Sequence, residues 1–147
     1  MPDLEDVKRL AAADHGLVVV ATARADGSVQ ASVVNAGVMR FDVRDVVALV
    51  AVGGSAKLAN LRRNPKVTVV FRAGWQWVAV EGTAEIAGPD DASAAVPPDR
   101  VPALLRDVFT AAGGTHDDWD EYDRVMAAER RAAVLVTPTR IYGVGAG

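Results

Sequence analysis

Two β-branched runs face each other across an Asp-Gly step in LVVVATARADGSVQASVVNAGVMRFD, residues 17–42. Valine and threonine suit a pleated, half-buried surface, and Asp-Gly tolerates the backbone angles of a tight reversal. The stretch predicts a hairpin turning at Asp26-Gly27. An antiparallel start constrains the rest of the chain. Hairpins extend such a sheet directly, whereas a parallel neighbour needs a long crossover, usually a helix.

The remaining segments fit that start. VRDVVALVAV (43–52) reads as a third strand, apolar almost throughout and therefore buried. GGSAKLANLRRNP (53–65) reads as a short helix. KVTVVFRAG and WQWVAVEGTAEIAG read as strands four and five, turning near Ala73-Gly74. PDDASAAVPPDR is a loop by its prolines and aspartates. VPALLRDVFTAAGG is an amphipathic helix stopped by Gly113-Gly114, and Asp117 to Arg131 a further helix with acids in its first turn, where the helix dipole favours them. AAVLVTPTRIYGVGAG is a last strand, interrupted at Pro138 and ending in a glycine-rich tail. Ahead of the hairpin, apolar residues at 4, 7, 10 and 11 give a helix capped by Asp3 and ended by Gly16. Five or six strands with three or four helices make a mainly β (α+β) chain, an antiparallel sheet able to curl into a barrel. No linker divides it, so residues 1–147 are expected to form one domain.

Composition removes several function classes. Cysteine is absent, which excludes disulfides, thiolate catalysis and cysteine-ligated metals. No apolar run approaches the ~20 residues of a membrane span. The start, MPDLEDVKRL, carries acids and no apolar h-region, so a cytoplasmic protein is expected. A net charge of −3 does not suit a nucleic-acid binder. The charge is uneven, however. Residues 46–80 hold no acid but contain Lys57, Arg62, Arg63, Lys66 and Arg72, whereas 81–123 hold eleven acids against Arg100 and Arg106. A basic zone on an acidic chain suits a small anionic ligand, or is simply a solvated face.

Catalytic motifs are scarce. The histidines are His15 and His116, and neither lies near a Gly-x-Ser-x-Gly elbow. His15 reads as a helix-end residue and His116 as a loop residue. Asp117, Asp118, Asp120 and Glu121 lack the spacing and glycine of a calcium loop, so no metal site is expected. Gly143-Val144-Gly145-Ala146-Gly147 opens no helix and is not a dinucleotide fingerprint. What remains is GGSAK. Two glycines permit close backbone approach, Ser55 is a natural N-cap, and free N–H groups at a helix start attract anions. Lys57 sits in that first turn, where a cation is disfavoured by a few tenths to ~1 kcal/mol. Either it reaches out to solvent, or an anion sits beside it. Arg62 and Arg63, near the other helix end, are dipole partners or further anion ligands. Trp75 and Trp77, two apart on an expected strand, share a face: core, interface or stacking surface.

Taken in order, the Asp-Gly hairpin, SAKLANLRRNP, WQWVAVEGT, DDWDEY and the RR…P…IYG ending resemble the pyridoxamine 5′-phosphate oxidase-like split β-barrel proteins, from about Leu4 to Gly143. Within them the chain is most similar to the actinobacterial deazaflavin-dependent group, the flavin/deazaflavin oxidoreductase B class. The resemblance implies a six-stranded antiparallel split barrel with short flanking helices, forming a homodimer with cofactor sites at the interface. It implies coenzyme F420, with FMN as the alternative, held with its phosphate-bearing side chain at Ser55, Ala56 and Lys57. Gln30, Ser32, Val33 and Asn35 would line the ring, and Trp75 and Trp77 would reach the site from the partner subunit. Many relatives carry arginine where this chain has Ser55, so one positive charge is missing, which Arg62 and Arg63 would compensate. The implied activity is hydride transfer from reduced F420 to an unsaturated small molecule such as an enone, quinone or tetrapyrrole. The alternatives are an FMN-dependent flavoprotein or a non-catalytic cofactor binder. No proton donor is identifiable from the sequence.

Overall fold

The computed structural model describes residues 1–144; Gly145, Ala146 and Gly147 of the tail lie outside the described residues. Helix α1 (Leu4–Ala13) precedes strands β1 (Leu17–Ala23), β2 (Val29–Phe41) and β3 (Arg44–Ala51). Helix α2 (Ala56–Arg63) leads to β4 (Lys66–Ala73) and β5 (Gln76–Ala87). Helices α3 (Val101–Ala111) and α4 (Trp119–Ala128) come before β6 (Ala132–Val144). The strands close a barrel in the order β1-β2-β3-β6-β5-β4, every pairing antiparallel. The expected six-stranded antiparallel barrel with short flanking helices is the fold that forms. Closure leaves no free sheet edge.

The hairpin forms as the sequence predicts. Gly27 has φ 86°, and the Asp26 carboxylate accepts from the Ser28 N–H at 2.9 Å and from its hydroxyl at 2.6 Å. The β2–β3 reversal is less legible. It uses Asp42 and Val43, with φ of 47° and 64°, a region that strains a β-branched residue. Pro138 does not break β6. The strand runs past it, with a bulge opposite at Glu81/Gly82. Gly82 is required there, because a Cβ would meet the Thr137 carbonyl oxygen at 2.4 Å.

The core has two parts. Inside the barrel, Val18, Val20, Val47, Leu49, Val69, Phe71, Val78, Val80, Val134 and Val136 are buried, with Val7 and Leu10 of α1 and Leu58 and Leu61 of α2 packed against them. Outside, Val46, Ala48, Ala133 and Leu135 are covered by Leu104, Leu105 and Val108 of α3 and Tyr122 of α4. β3 and β6 are therefore buried on both faces, which explains their nearly continuous apolar runs. His116 is held among the rings of Phe109, Trp119 and Tyr122, and its Nδ1 accepts from the Asp118 N–H at 3.0 Å.

Two boundaries differ from the sequence reading. Helix α4 stops at Ala128 and not at Arg131. Arg130 turns left-handed (φ 50°), its N–H donates to the Ala127 carbonyl and that of Arg131 to the Met126 carbonyl. This is the paired hydrogen-bond closure of a helix that usually uses glycine, so the Arg-Arg pair gave no stop signal. Trp75 belongs to the β4–β5 turn and not to the strand, and is 96% exposed. The strict alternation that would align it with Trp77 does not hold across that turn. Among the described residues no helix is long and apolar enough to cross a membrane.

Candidate functional site: a cationic cleft at the start of helix α2

The site begins with GGSAK, and the structure gives each residue a different task from the one its type suggested. Gly53 is packed against the end of α4. Its N–H donates to the Glu129 carbonyl at 3.1 Å, and a Cβ would meet the Arg130 carbonyl oxygen at 2.6 Å. Gly54 takes φ 79°, with open space around it. Gly53 thus docks the entry to α2 on the α4–β6 junction. That docking brings Arg131 to Lys57.

Ser55 occupies the N-cap position with extended backbone angles, but its side chain makes no capping hydrogen bond. Its hydroxyl oxygen is buried and has no hydrogen-bond partner. A buried hydroxyl without a partner costs about 1–3 kcal/mol. No carboxylate stands in the first turn of α2, whereas α1 and α4 both carry acids there.

Lys57 is half-buried and, among the described residues, forms no hydrogen bond or ion pair. Burial first, then repulsion from Arg131, holds its ammonium below the usual lysine pKa of 10.5. It lines a cleft of ≈ 260 Å³. Val34 and Asn35 of β2 form one wall, Val50 and Val52 a second, and Val108, Phe109 and Ala112 of α3 a third, with Arg131 closing it. Arg131 bonds Glu129 at 2.9 Å, yet its positive charge is still felt by Lys57. Two cations therefore line one small space at the start of α2, and the buried Ser55 hydroxyl is not part of its lining.

The other expected site residues are divided. Gln30 and Ser32 lie on the inward side of β2. Gln30 accepts from the Thr22 hydroxyl at 3.1 Å, which in turn accepts from Asn60 of α2 at 3.1 Å, so it ties α2 to the hairpin. Ser32 lies opposite Val20 of the barrel core, and its hydroxyl is the other buried side-chain atom without a partner among the described residues. Val33 is 65% exposed on the outer face. Asn35 lines the cleft while its amide donates to the His15 carbonyl at 2.9 Å. Period-two alternation separates Gln30 and Ser32 from Val33 and Asn35, so the four do not form one surface. Ala56 is exposed in the first turn of α2.

Arg62 is not available to compensate for the charge missing at position 55. Its guanidinium forms a two-pronged pair with Asp91 at 2.8 and 2.7 Å. Arg63 bonds the Ala23 carbonyl at 2.9 Å and Asn60 at 3.1 Å. Most of the basic zone is therefore bound internally, and the second cation at the cleft is Arg131, from beyond it, itself paired with Glu129. Trp75 and Trp77 do not line the cleft of their own chain. Trp77 meets Tyr142 edge to face at 6.1 Å, and the Tyr142 hydroxyl donates to Glu81 at 3.0 Å. Among the described residues no cluster of three His, Asp or Glu residues is arranged to hold a metal.

Comparison with known proteins agrees with this architecture. A conserved hypothetical protein of Mycobacterium tuberculosis superposes with a TM-score of 0.68 at 22% identity, over 99% of this chain and 85% of its own. An F420 reductase superposes at 0.62 and 18% identity, over 97% and 98%. A pyridoxamine 5′-phosphate oxidase-related, FMN-binding protein of Nostoc punctiforme superposes at 0.65 and 12% identity, over 93% and 79%. At these identities the likeness establishes the fold. The family assignment comes from the sequence itself: residues 4–145 match the family described as pyridoxamine 5′-phosphate oxidase, and the chain belongs to it.

Proposed function

We propose that this protein is a coenzyme F420-dependent reductase that holds the phosphate of its cofactor in the Lys57 cleft. The carrying observation is the half-buried, unpartnered Lys57 beside Arg131 in the cleft. These groups fit a phosphate: Lys57, and Arg131 on leaving Glu129, offset its charge, and the first-turn N–H groups of α2 donate to its oxygens. When bound, the reduced deazaflavin supplies the hydride for an unsaturated acceptor such as an enone, quinone or tetrapyrrole. The chain itself has only to bind, orient and keep water from the cofactor. That division of labour agrees with a sequence lacking an evident acid–base residue.

The likeness in fold to an FMN-binding protein keeps FMN as the second reading, since its phosphate makes the same demand on Lys57. Because Arg62 and Arg63 are bound internally, the cleft recognises one phosphate and leaves an oligoglutamate tail in solvent. Affinity should then change little with tail length. A homodimer is supported by the outer face of β1 and β2, where Leu17, Val19, Val29 and Val33 are 41–65% exposed and form an apolar patch suited to a partner. A cytoplasmic location accords with the expected supply of reduced cofactor.

Parallel fluorescence titrations with F420 and FMN test the assignment, followed by turnover of enones, quinones and biliverdin with reduced F420. Exclusive FMN binding would remove the F420 reading. F420 binding without turnover across that panel would leave a cofactor carrier.

A further inference from the structure

A second cavity, of ≈ 510 Å³, opens between α3, α4 and the loop after β5. The volume is that of a small-molecule pocket, which typically spans about 300–1,000 Å³. Pro89, Pro98 and Pro102 give it stiff walls; Leu105, Ala127 and the adaptable Met126 complete the apolar lining. Four charged side chains also border it, and each already has a partner. Asp90 is held by Arg130, Asp91 by Arg62 at 2.7 Å, Asp123 by the Arg106 Nε at 3.0 Å, and Arg131 by Glu129 at 2.9 Å. A charged ligand would have to break one of these pairs. No buried side-chain polar atom without a partner lies here; the two among the described residues are Ser32 and Ser55. The cavity is too small for a helix or a folded partner, which would need a run of anchor positions along a groove.

We propose that this cavity is a binding site for an uncharged, apolar small molecule, separate from the anion cleft although Arg131 stands in the walls of both. The recognition rule is the inverse of that at Lys57: no free charge, no unpartnered donor, and a shape set by proline and methionine.

The neutral probe N-phenyl-1-naphthylamine tests it, since its fluorescence rises in apolar surroundings. The wild-type protein should show one saturable site. Ala127→Trp, a rim substitution at an exposed helix position, should weaken binding at least tenfold, and Ala92→Trp, from the opposite rim, should do the same if the first variant melts early. Val43→Asp, at the exposed β2–β3 turn, should leave binding unchanged. The sulfonated probe 8-anilinonaphthalene-1-sulfonate should show no component that Ala127→Trp removes. Absence of saturable binding overturns the proposal, as does binding lost in Val43→Asp or retained in both tryptophan variants. None of these readouts uses the cofactor, so they stand or fall apart from the F420 assignment.

Discussion

Lys57 and Arg62 lie one helical turn or so apart on α2 and belong to cationic regions that behave in opposite ways. Around the loop after β5, Arg62 grips Asp91, Arg130 grips Asp90, and across the α3–α4 pair Arg106 grips Asp123. Each of these three arginines has a counter-charge inside the same molecule. At the start of α2, Lys57 has none, and its nearest charged influence is another cation. The first region ties α2 and the end of α4 to the loop after β5, and α3 to α4. The second holds a repulsion that folding alone does not relieve, and stored electrostatic cost of this kind is characteristic of binding sites. The contrast teaches that local basic composition is a weak guide. Partner geometry decides which cation is free for a ligand.

The largest expected effect is on binding. Lys57→Ala should weaken cofactor affinity by about 1–3 kcal/mol, roughly 5- to 150-fold, the cost of a hydrogen bond to a charged group. Fluorescence titration measures it, and unchanged affinity would end the phosphate role. Gly53→Ala comes next. Its Cβ would meet the Arg130 carbonyl oxygen at 2.6 Å, backbone that cannot swing aside, so about 1–3 kcal/mol of stability should be lost. If this docking is what places Arg131, surviving Gly53→Ala protein should also bind phosphate more weakly. Arg62→Ala should cost about 1 kcal/mol in chemical denaturation, near the upper range for a partly exposed pair with good geometry. It should leave cofactor affinity unaltered. A matching loss of affinity would erase the distinction between the two regions.

Much of the fold was legible because its signals are local. Asp26-Gly27 announced a hairpin, and the double-sided burial of β3 and β6 appeared as apolar runs. Val43 and Arg130 were illegible for a shared reason: each adopts a left-handed backbone that its side chain does not advertise. The site was half-legible. Lys57 stood out through an electrostatic rule about helix starts that needs only sequence. Arg131 did not, because it lies far along the chain from Lys57 and only the docking of Gly53 on the α4 end brings them together. The Arg62–Asp91 pair was hidden likewise, although an acid-rich loop after a base-rich segment was its one available hint. Ser55 reads from sequence as a cap. Only the fold reveals a hydroxyl without a partner.

The smallest expected effect is the most specific to Lys57. Burial and Arg131 hold its pKa below 10.5, the value it regains on unfolding. Between the lowered value and 10.5 the unfolded chain binds more protons, so stability rises with pH there. Below that window the charged lysine destabilises the fold in full; above 10.5 the penalty is gone. Lys57→Met removes the charge at every pH. In phosphate-free buffer it should therefore be more stable than wild type at pH 7, on the order of 0.5 kcal/mol, within the range of partly exposed charge interactions. The advantage should stay level through neutral pH and shrink as pH approaches 10.5. Inorganic phosphate should shrink it at pH 7 as well, since an anion stabilises the charged lysine and leaves the methionine variant untouched. Urea denaturation of both proteins across pH 7–10.5, with and without phosphate, reads all three trends. An advantage constant to pH 10.5 and insensitive to phosphate would mean that methionine merely packs better, and that Lys57 is as structural as Arg62.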